Sequence, residues 1–303
     1  MIRYLEHDSV DKLKWDEAID ASSNAMVYAK SWFLDIVSPG WKALVEDDYK
    51  SAFPLTCRKK FGIQYLYQPF FTQQLGIFST KALTPDTVDN FLAAIPDSFR
   101  LVEIQLHHSN KTETKKFLTT KRITHHLNLG QPIGTIQKKY SENLKRNLKR
   151  AQQNNLSITG DFSTTEIIDL FQRNRGRGVE TLKQKDYSTL EKLISVAHSK
   201  GLITKYGIRI DGTLEAGAIF LKSNHEYIFL FSATGNRAKE TGAMTFIIDH
   251  FIKLHAGERK LLDFEGSMDP GLARYYKSFG SDEIVYLQIR KNNLPLPLRW
   301  VKK

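Results

Sequence analysis

The chain has 303 residues, enough for about two domains at roughly 150 residues each, and its 41% hydrophobic and 25% charged residues exclude disorder as the default. The single cysteine, Cys57, excludes an internal disulfide framework and every CxxC-type zinc or redox site, and points to a reducing, cytoplasmic compartment. A formal charge of +11, from 44 Lys and Arg against 33 Asp and Glu, favours anionic partners such as phosphorylated cofactors, nucleic acid or lipid headgroups.

Residues 2–5 read as a short strand. Val10, Leu13, Lys14, Glu17, Ala18 and Ala21 follow at the spacing of an amphipathic helix, and the opening alternation of charged with apolar residues predicts no export signal. A second helix, 28–37, ends at Ser38-Pro39-Gly40. Strands follow at 41–45, 52–57 and 63–67, separated by turn residues at 47–48 and 59–62. Thr84 caps a helix over 88–95 with Pro85 in its first turn, and strands at 101–106 and 122–129 complete this half. No apolar run approaches the roughly 20 residues that span a bilayer.

Beyond Gly130-Gln131-Pro132 the order begins again. Ser141 caps a basic helix, 156–159 is a strand, and 165–174 and 187–198 are helices. Strands at 204–210, 216–222 and 227–231 turn at Asp211-Gly212 and at Ser223-Asn224-His225. A helix over 241–254, a strand at 261–264, a short helix at 272–279 and a strand at 284–289 close the chain. Both halves thus run strand, two helices, about three antiparallel strands, helix, strand, strand. That order predicts two α+β modules with mixed sheets, residues 1–130 and 131–303, either duplicated from one ancestor or unrelated.

The strongest local signal is the passage 227–243, which runs from strand through loop into helix. Free N–H groups at a helix start bind anions, Gly242 and Ala243 leave no side chain to obstruct a pyrophosphate, and Arg237 and Lys239 add positive charge. The same Gly-Ala pair is also an ordinary packing choice. The passage resembles the acyl-CoA-binding loop of the GNAT acyltransferases, whose pattern is Gln/Arg-x-x-Gly-x-Gly/Ala. Arg237, Gly242 and Ala243 match its ends, and Glu240 stands where the first glycine is usual. Downstream, Leu262-Asp263-Phe264-Glu265-Gly266-Ser267 and the run from Gly271 to Gly280, with Tyr275-Tyr276-Lys277-Ser278-Phe279, look like the Asp-Phe-Gly-Gly-Ser and Phe-Lys-x-x-Phe-Gly elements of Fem-type acyltransferases. The segment from Ser141 to Ile158 is similar to the one that opens their second module. The resemblance covers residues 141–290, and the tandem build of that group agrees with the repeated order of elements.

The resemblance implies two tandem GNAT-like modules and transfer of an acyl group from a carrier to a primary amine by direct attack, without a covalent enzyme intermediate. The expected donor is acyl-CoA, acetyl-CoA or longer, and the acceptor a small-molecule or peptide amine. Such chemistry needs a neutral amine, a polarised carbonyl and close positioning, the last worth roughly 7–11 kcal/mol. A strand edge at Phe231, Ser232 and Ala233 would supply N–H groups to the carbonyl. Asp263 and Glu265, alternate residues at a strand end, are either bases or salt-bridged structural carboxylates, and Glu265 replaces a glycine of the Fem element. Tyr276 either protonates a leaving thiolate or packs on the sheet. Lys277 either stabilises a phosphate or developing charge or lies in solvent.

Residues 138–150 carry six cations against one acid, Glu142. Lys145, Arg146, Lys149 and Arg150 lie opposite Leu144, Leu148 and Ala151, a face that tracks the phosphates of tRNA or CoA or is simply solvated. His107-His108, His125-His126, His250 and His255 lack metal-ligand spacing, so no metal is expected, and HExxH, GxSxG and P-loop motifs are absent. Trp32, Trp41, Tyr65, Tyr67, Phe70 and Phe71, interleaved with glutamines, line an acceptor groove or a core. Two alternatives stand beside the CoA reading: a Fem-type transferase that uses aminoacyl-tRNA on a cell-wall precursor, and a non-catalytic RNA-binding protein on the same scaffold. No long heptad run suggests the helical hairpin that tRNA-using Fem proteins can carry, which favours CoA.

Overall fold

The computed structural model describes residues 1–174, 182–266 and 268–296; Ser267, which ends the Asp-Phe-Gly-Gly-Ser-like element, lies outside the described residues. The chain forms two compact units, one built from residues 1–123 and the last strand, the other from residues 124–283.

The first unit runs β1 (Ile2–Leu5), α1 (Lys12–Ala21), α2 (Ser31–Val37), β2 (Lys42–Glu46), β3 (Ser51–Leu55), β4 (Cys57–Lys60), β5 (Ile63–Tyr67), β6 (Phe78–Ser79), α3 (Pro85–Ala93) and β7 (Phe99–Leu106). Strands β1, β2, β3 and β6 form one antiparallel sheet in that order. In a second sheet β4 pairs antiparallel with β5, β5 parallel with β7, and β7 antiparallel with the last strand of the chain, Asp282–Asn292. Helix starts follow local chemistry: the Asp11 side chain accepts from the N–H groups of Leu13 and Lys14, and Thr84 caps α3 with Pro85 in its first turn. The core gathers Phe53, Leu66, Phe91, Val102, Leu106 and Ile289 between α3 and the strands.

The second unit runs β8 (Leu118–Asn128, from Thr124 on), α4 (Ile133–Lys138), α5 (Glu142–Gln153), α6 (Thr164–Asn174), α7 (Gln184–Ser199), β9 (Ile203–Ile210), β10 (Thr213–Lys222), β11 (Glu226–Thr234), α8 (Asn236–Thr241), α9 (Ala243–His255), β12 (Leu261–Asp263) and α10 (Pro270–Lys277); the last strand of the chain is β13. Its sheet has the order β8-β12-β11-β10-β9, antiparallel throughout except for the parallel pair β11 and β12. Side chains alternate between its faces. On one face Phe220 stacks on Phe251 of α9, ring centroids 3.8 Å apart. On the other, Gly217 leaves room for α6, since a Cβ there would meet Ile167 at 2.9 Å.

The expected strand at 52–57 divides into β3 and β4, so that Lys59 and Lys60 lie in a strand and not in a turn, and β6 and α4 have no counterpart in the sequence reading. Two further differences have a local cause. The strand expected at 156–159 reduces to a single bridge, Thr159 to Gly207, because Leu156 and Ile158 pack as side chains while only Thr159 exchanges backbone bonds. The helix expected over 241–254 is broken at Gly242, whose φ of +75° ends α8 and starts α9.

Candidate active site

Strand β11 outruns its parallel neighbour. The pairing of β11 with β12 stops at Ile228 opposite Asp263, where β12 ends, while β11 continues through residues 229–234 paired with β10 alone. Its register with β10 also shifts, so that Ile219 opposes Phe231 and Phe220 opposes Phe229, leaving Leu230 as an extra bulged residue. The bulge reverses the alternation. Phe229 therefore packs against Phe264 on the α9 face, whereas Phe231 packs against Phe171 of α6 on the other. Beyond the last rung the sheet has a gap, and the backbone edge of β11 faces it.

Helices from both faces close around the gap, leaving a cavity of about 510 Å³. Ser232 and Ala233 form its strand wall, Phe171 and Asn174 come from α6, and Asn147 comes from α5. Gly242, Met244 and Thr245 bring the N-terminus of α9, and Tyr275 and Tyr276 bring α10. The first amides of a helix have no intrahelical acceptor, and among the described residues no side chain caps this thirteen-residue helix, so its positive end faces the cavity. Among the described residues Lys239 is the one charged residue of the lining and stands exposed on the α8 side. Tyr275 donates to or accepts from the buried Thr245 hydroxyl at 3.2 Å, and burial pushes its hydroxyl well above the ordinary phenol range, so it holds its proton at neutral pH.

The residues singled out in sequence separate into four groups. Ser232, Ala233, Lys239, Gly242 and Tyr276 meet at the cavity, whereas Phe231 and Ala243 are buried and do not line it. Gly242 has a reason of its own, because a Cβ there would lie 2.6 Å from the Asn147 carbonyl oxygen of α5. Arg237 turns to a shallower depression and pairs with Asp211 at 2.6 Å, and Lys277 pairs with Glu283. Lys145, Arg146, Lys149 and Arg150 are exposed along α5. Lys145 pairs with Glu142 at 2.8 Å, and Arg150 donates to the Glu240 carbonyl at 3.3 Å, tying α5 to the end of α8. Tyr276 stacks on Phe264 with ring centroids 4.9 Å apart, fixing the phenol against the sheet.

Asp263 is only 2% exposed and is held inside the sheet. Its Oδ1 accepts from the Thr124 hydroxyl and from the Glu265 N–H, and the Gly266 N–H in turn donates to Thr124 at 2.9 Å. Its Oδ2 lies 3.2 Å from His126 Nε2. Glu265, at φ +54°, turns the chain out of β12 and does not border the cavity. Burial works against a charge on His126, yet the Asp263 carboxylate raises its pKa, while burial and the same carboxylate push Glu226 up to about 8. Sequence reasoning missed Asn147, Phe171, Asn174, Met244, Thr245 and Tyr275. Tyr275 was within reach as the neighbour of Tyr276, but nothing local marks Phe171 or Asn174.

A strand splayed from a parallel partner, followed by a helix that starts at the splay, is a GNAT-like arrangement, and the fold of the whole chain is similar to tandem GNAT-like folds, the Fem-type fold among them. The structure of FemX is similar over 96% of this chain and 98% of its own, with a TM-score of 0.65 at 10% identity. A tandem GNAT protein of the clavulanic acid biosynthesis pathway is similar over 97% and 99%, with a TM-score of 0.54 at 10% identity. The C-terminal domain assigned to a lysylphosphatidylglycerol synthetase of Agrobacterium fabrum is similar over 96% and 94%, with a TM-score of 0.56 at 11% identity. The sequence itself matches no protein-family model and no curated protein. Among the described residues no helix is long and apolar enough to cross a membrane.

Proposed function

We propose that the chain is an N-acyltransferase that moves an acyl group from acyl-CoA, acetyl-CoA or longer, to a primary amine on a small molecule or peptide. The observation that carries this reading is the unpaired edge of β11 over residues 229–234, set beside the uncapped start of α9 in one cavity. A volume of about 510 Å³ falls within the range of small-ligand sites. In this reading the pyrophosphate lies against the first amides of α9, with Lys239 at the rim, and the thioester carbonyl accepts from the β11 edge. The amine nitrogen attacks that carbonyl, the C–N bond forms and the C–S bond breaks. The proton of the attacking amine leaves through solvent, since neither Asp263 nor Glu265, the carboxylates expected as bases, borders the cavity. The leaving thiolate takes one from a phenol of α10, for which Tyr276 and its neighbour Tyr275, held protonated by burial, are the two candidates.

A second reading, transfer from aminoacyl-tRNA to a cell-wall precursor, is favoured by the exposed cations of α5, the helix that also contributes Asn147 to the cavity. Thermal unfolding in the presence of acetyl-CoA, longer acyl-CoAs and charged tRNA separates the two, because a ligand that binds only the folded chain raises Tm. A rise with an acyl-CoA supports the first reading. No rise with any acyl-CoA refutes it, and a salt-sensitive rise with charged tRNA alone supports the second.

A further inference from the structure

We infer that His126, Glu226 and Asp263 form a binding site for one divalent transition-metal cation, zinc above all, buried in the sheet of the second unit. The three residues lie on adjacent strands β8, β11 and β12. Register puts them together, since Asp263 pairs with His126 across β8 and β12, and Glu226 sits two residues before Ile228, the partner of Asp263. All three are buried, and one ligand atom from each lies within 4.8 Å of the others. One imidazole nitrogen and two carboxylate oxygens are a donor set that suits zinc or manganese; ligands at about 2.0–2.2 Å from a tetrahedral ion lie about 3.4 Å apart, so the side chains of this cluster draw together by up to about 1.4 Å on binding.

Two details point to an ion and not to a chance meeting of polar groups. Asp263 has its Oδ1 occupied by the Thr124 hydroxyl and the Glu265 N–H, which turns Oδ2 toward His126 Nε2, the arrangement expected when outer-shell donors orient a single-oxygen ligand. Glu226 is 5% exposed, and among the described residues its carboxylate accepts no hydrogen bond, an expensive burial beside a second carboxylate that the nearby His126 and Lys260 offset only in part. A divalent cation offsets both negative charges and gives Glu226 its missing partner. The site would pin β8, β12 and β11 across the three rungs that precede the parting of β11 and β12. Because the ligands are buried, the ion would enter as the chain folds. The inference does not depend on the acyl-donor reading.

The test is metal content and uptake by the full chain. Protein purified without chelator, then protein stripped with chelator and titrated with zinc chloride, is expected to carry and to take up one equivalent of zinc, with a rise in Tm. Cobalt(II) in place of zinc is expected to give visible d–d bands that zinc abolishes. Glu226→Gln keeps the size of the side chain and is expected to weaken zinc by more than the roughly 10–100-fold that loss of an outer-shell partner costs. Wild-type chain that holds no metal and takes up less than one equivalent overturns the inference, as does unaltered zinc affinity in Glu226→Gln. Should that variant not fold, the cobalt spectrum of the wild-type chain decides: d–d bands that zinc abolishes support the site, and their absence overturns it.

Discussion

Replacing Gly242 with alanine separates what the backbone requires from what a ligand requires. At φ +75° any L-residue pays roughly 1–2 kcal/mol for the left-handed conformation. The added Cβ would also lie 2.6 Å from the Asn147 carbonyl oxygen, so α9 and α5 must move apart by several tenths of an ångström, an overpacking cost of about 1–3 kcal/mol. The expected loss is therefore about 3 kcal/mol, read from urea unfolding with an unchanged slope. Gly212→Ala is the matched control, because Gly212 has φ +76° with nothing within 4 Å of the would-be Cβ and carries the conformational cost alone. Gly242→Ala should be the more destabilised of the two by at least 1 kcal/mol. Equal losses would refute the close contact between α5 and α9. Since the glycine serves packing, weakened CoA binding in Gly242→Ala says little about pyrophosphate, and Lys239→Ala, on an exposed side chain, is the cleaner probe of donor affinity.

Other outcomes follow from the same geometry. Asp249 is 1% exposed and accepts from the Tyr140 hydroxyl and the Gln137 amide at 3.1 Å each while pairing with Lys253 at 2.7 Å, so Asp249→Ala should cost about 3 kcal/mol in urea unfolding, and Asp249→Asn less. In chelator-treated protein, stability should fall as pH rises from about 5 to 8. Glu226 keeps its proton in the folded chain up to about 8 and loses it near its ordinary value when unfolded, so the folded state binds more protons across that window. Glu226 contributes at most about 1.4 kcal/mol per pH unit to the slope, His126, with its raised pKa, adds to it in the same direction, and a Glu226→Gln chain whose stability falls as steeply as that of wild type would contradict this. If a phenol of α10 protonates the leaving thiolate, one of Tyr275→Phe and Tyr276→Phe should lower kcat by about 10²–10⁴-fold with the donor Kd unchanged. Wild-type kcat in both variants would remove the phenol from the mechanism.

Much of the second unit is legible in the sequence because its signals are local. Continuous apolar runs mark β10 and β11, Asp211-Gly212 marks the hairpin between β9 and β10 with both residues at positive φ, and Ser141 marks the start of α5 by accepting from the Leu144 N–H. The cavity is only half legible. Ser232, Ala233 and Gly242 lie in one continuous passage and could be found, whereas Asn147, Phe171 and Asn174 reach the same space from α5 and α6, far away in the chain. The cluster of His126, Glu226 and Asp263 shows the limit most clearly. No spacing rule connects these positions, and only the register of β8, β12 and β11 brings them together. Likewise, the return of β13 to pair with β7 leaves no trace in local periodicity, because a strand pattern reports its two faces and not its neighbours.

Hydrogen exchange of the full chain with and without an acyl-CoA tests most directly whether the gap beside β11 is the donor site. Binding there should slow amide exchange in residues 229–234 and in the first turn of α9, because those amides would then donate to the carbonyl and the pyrophosphate. Protection confined to other segments, or none at saturating acyl-CoA, would contradict the assignment.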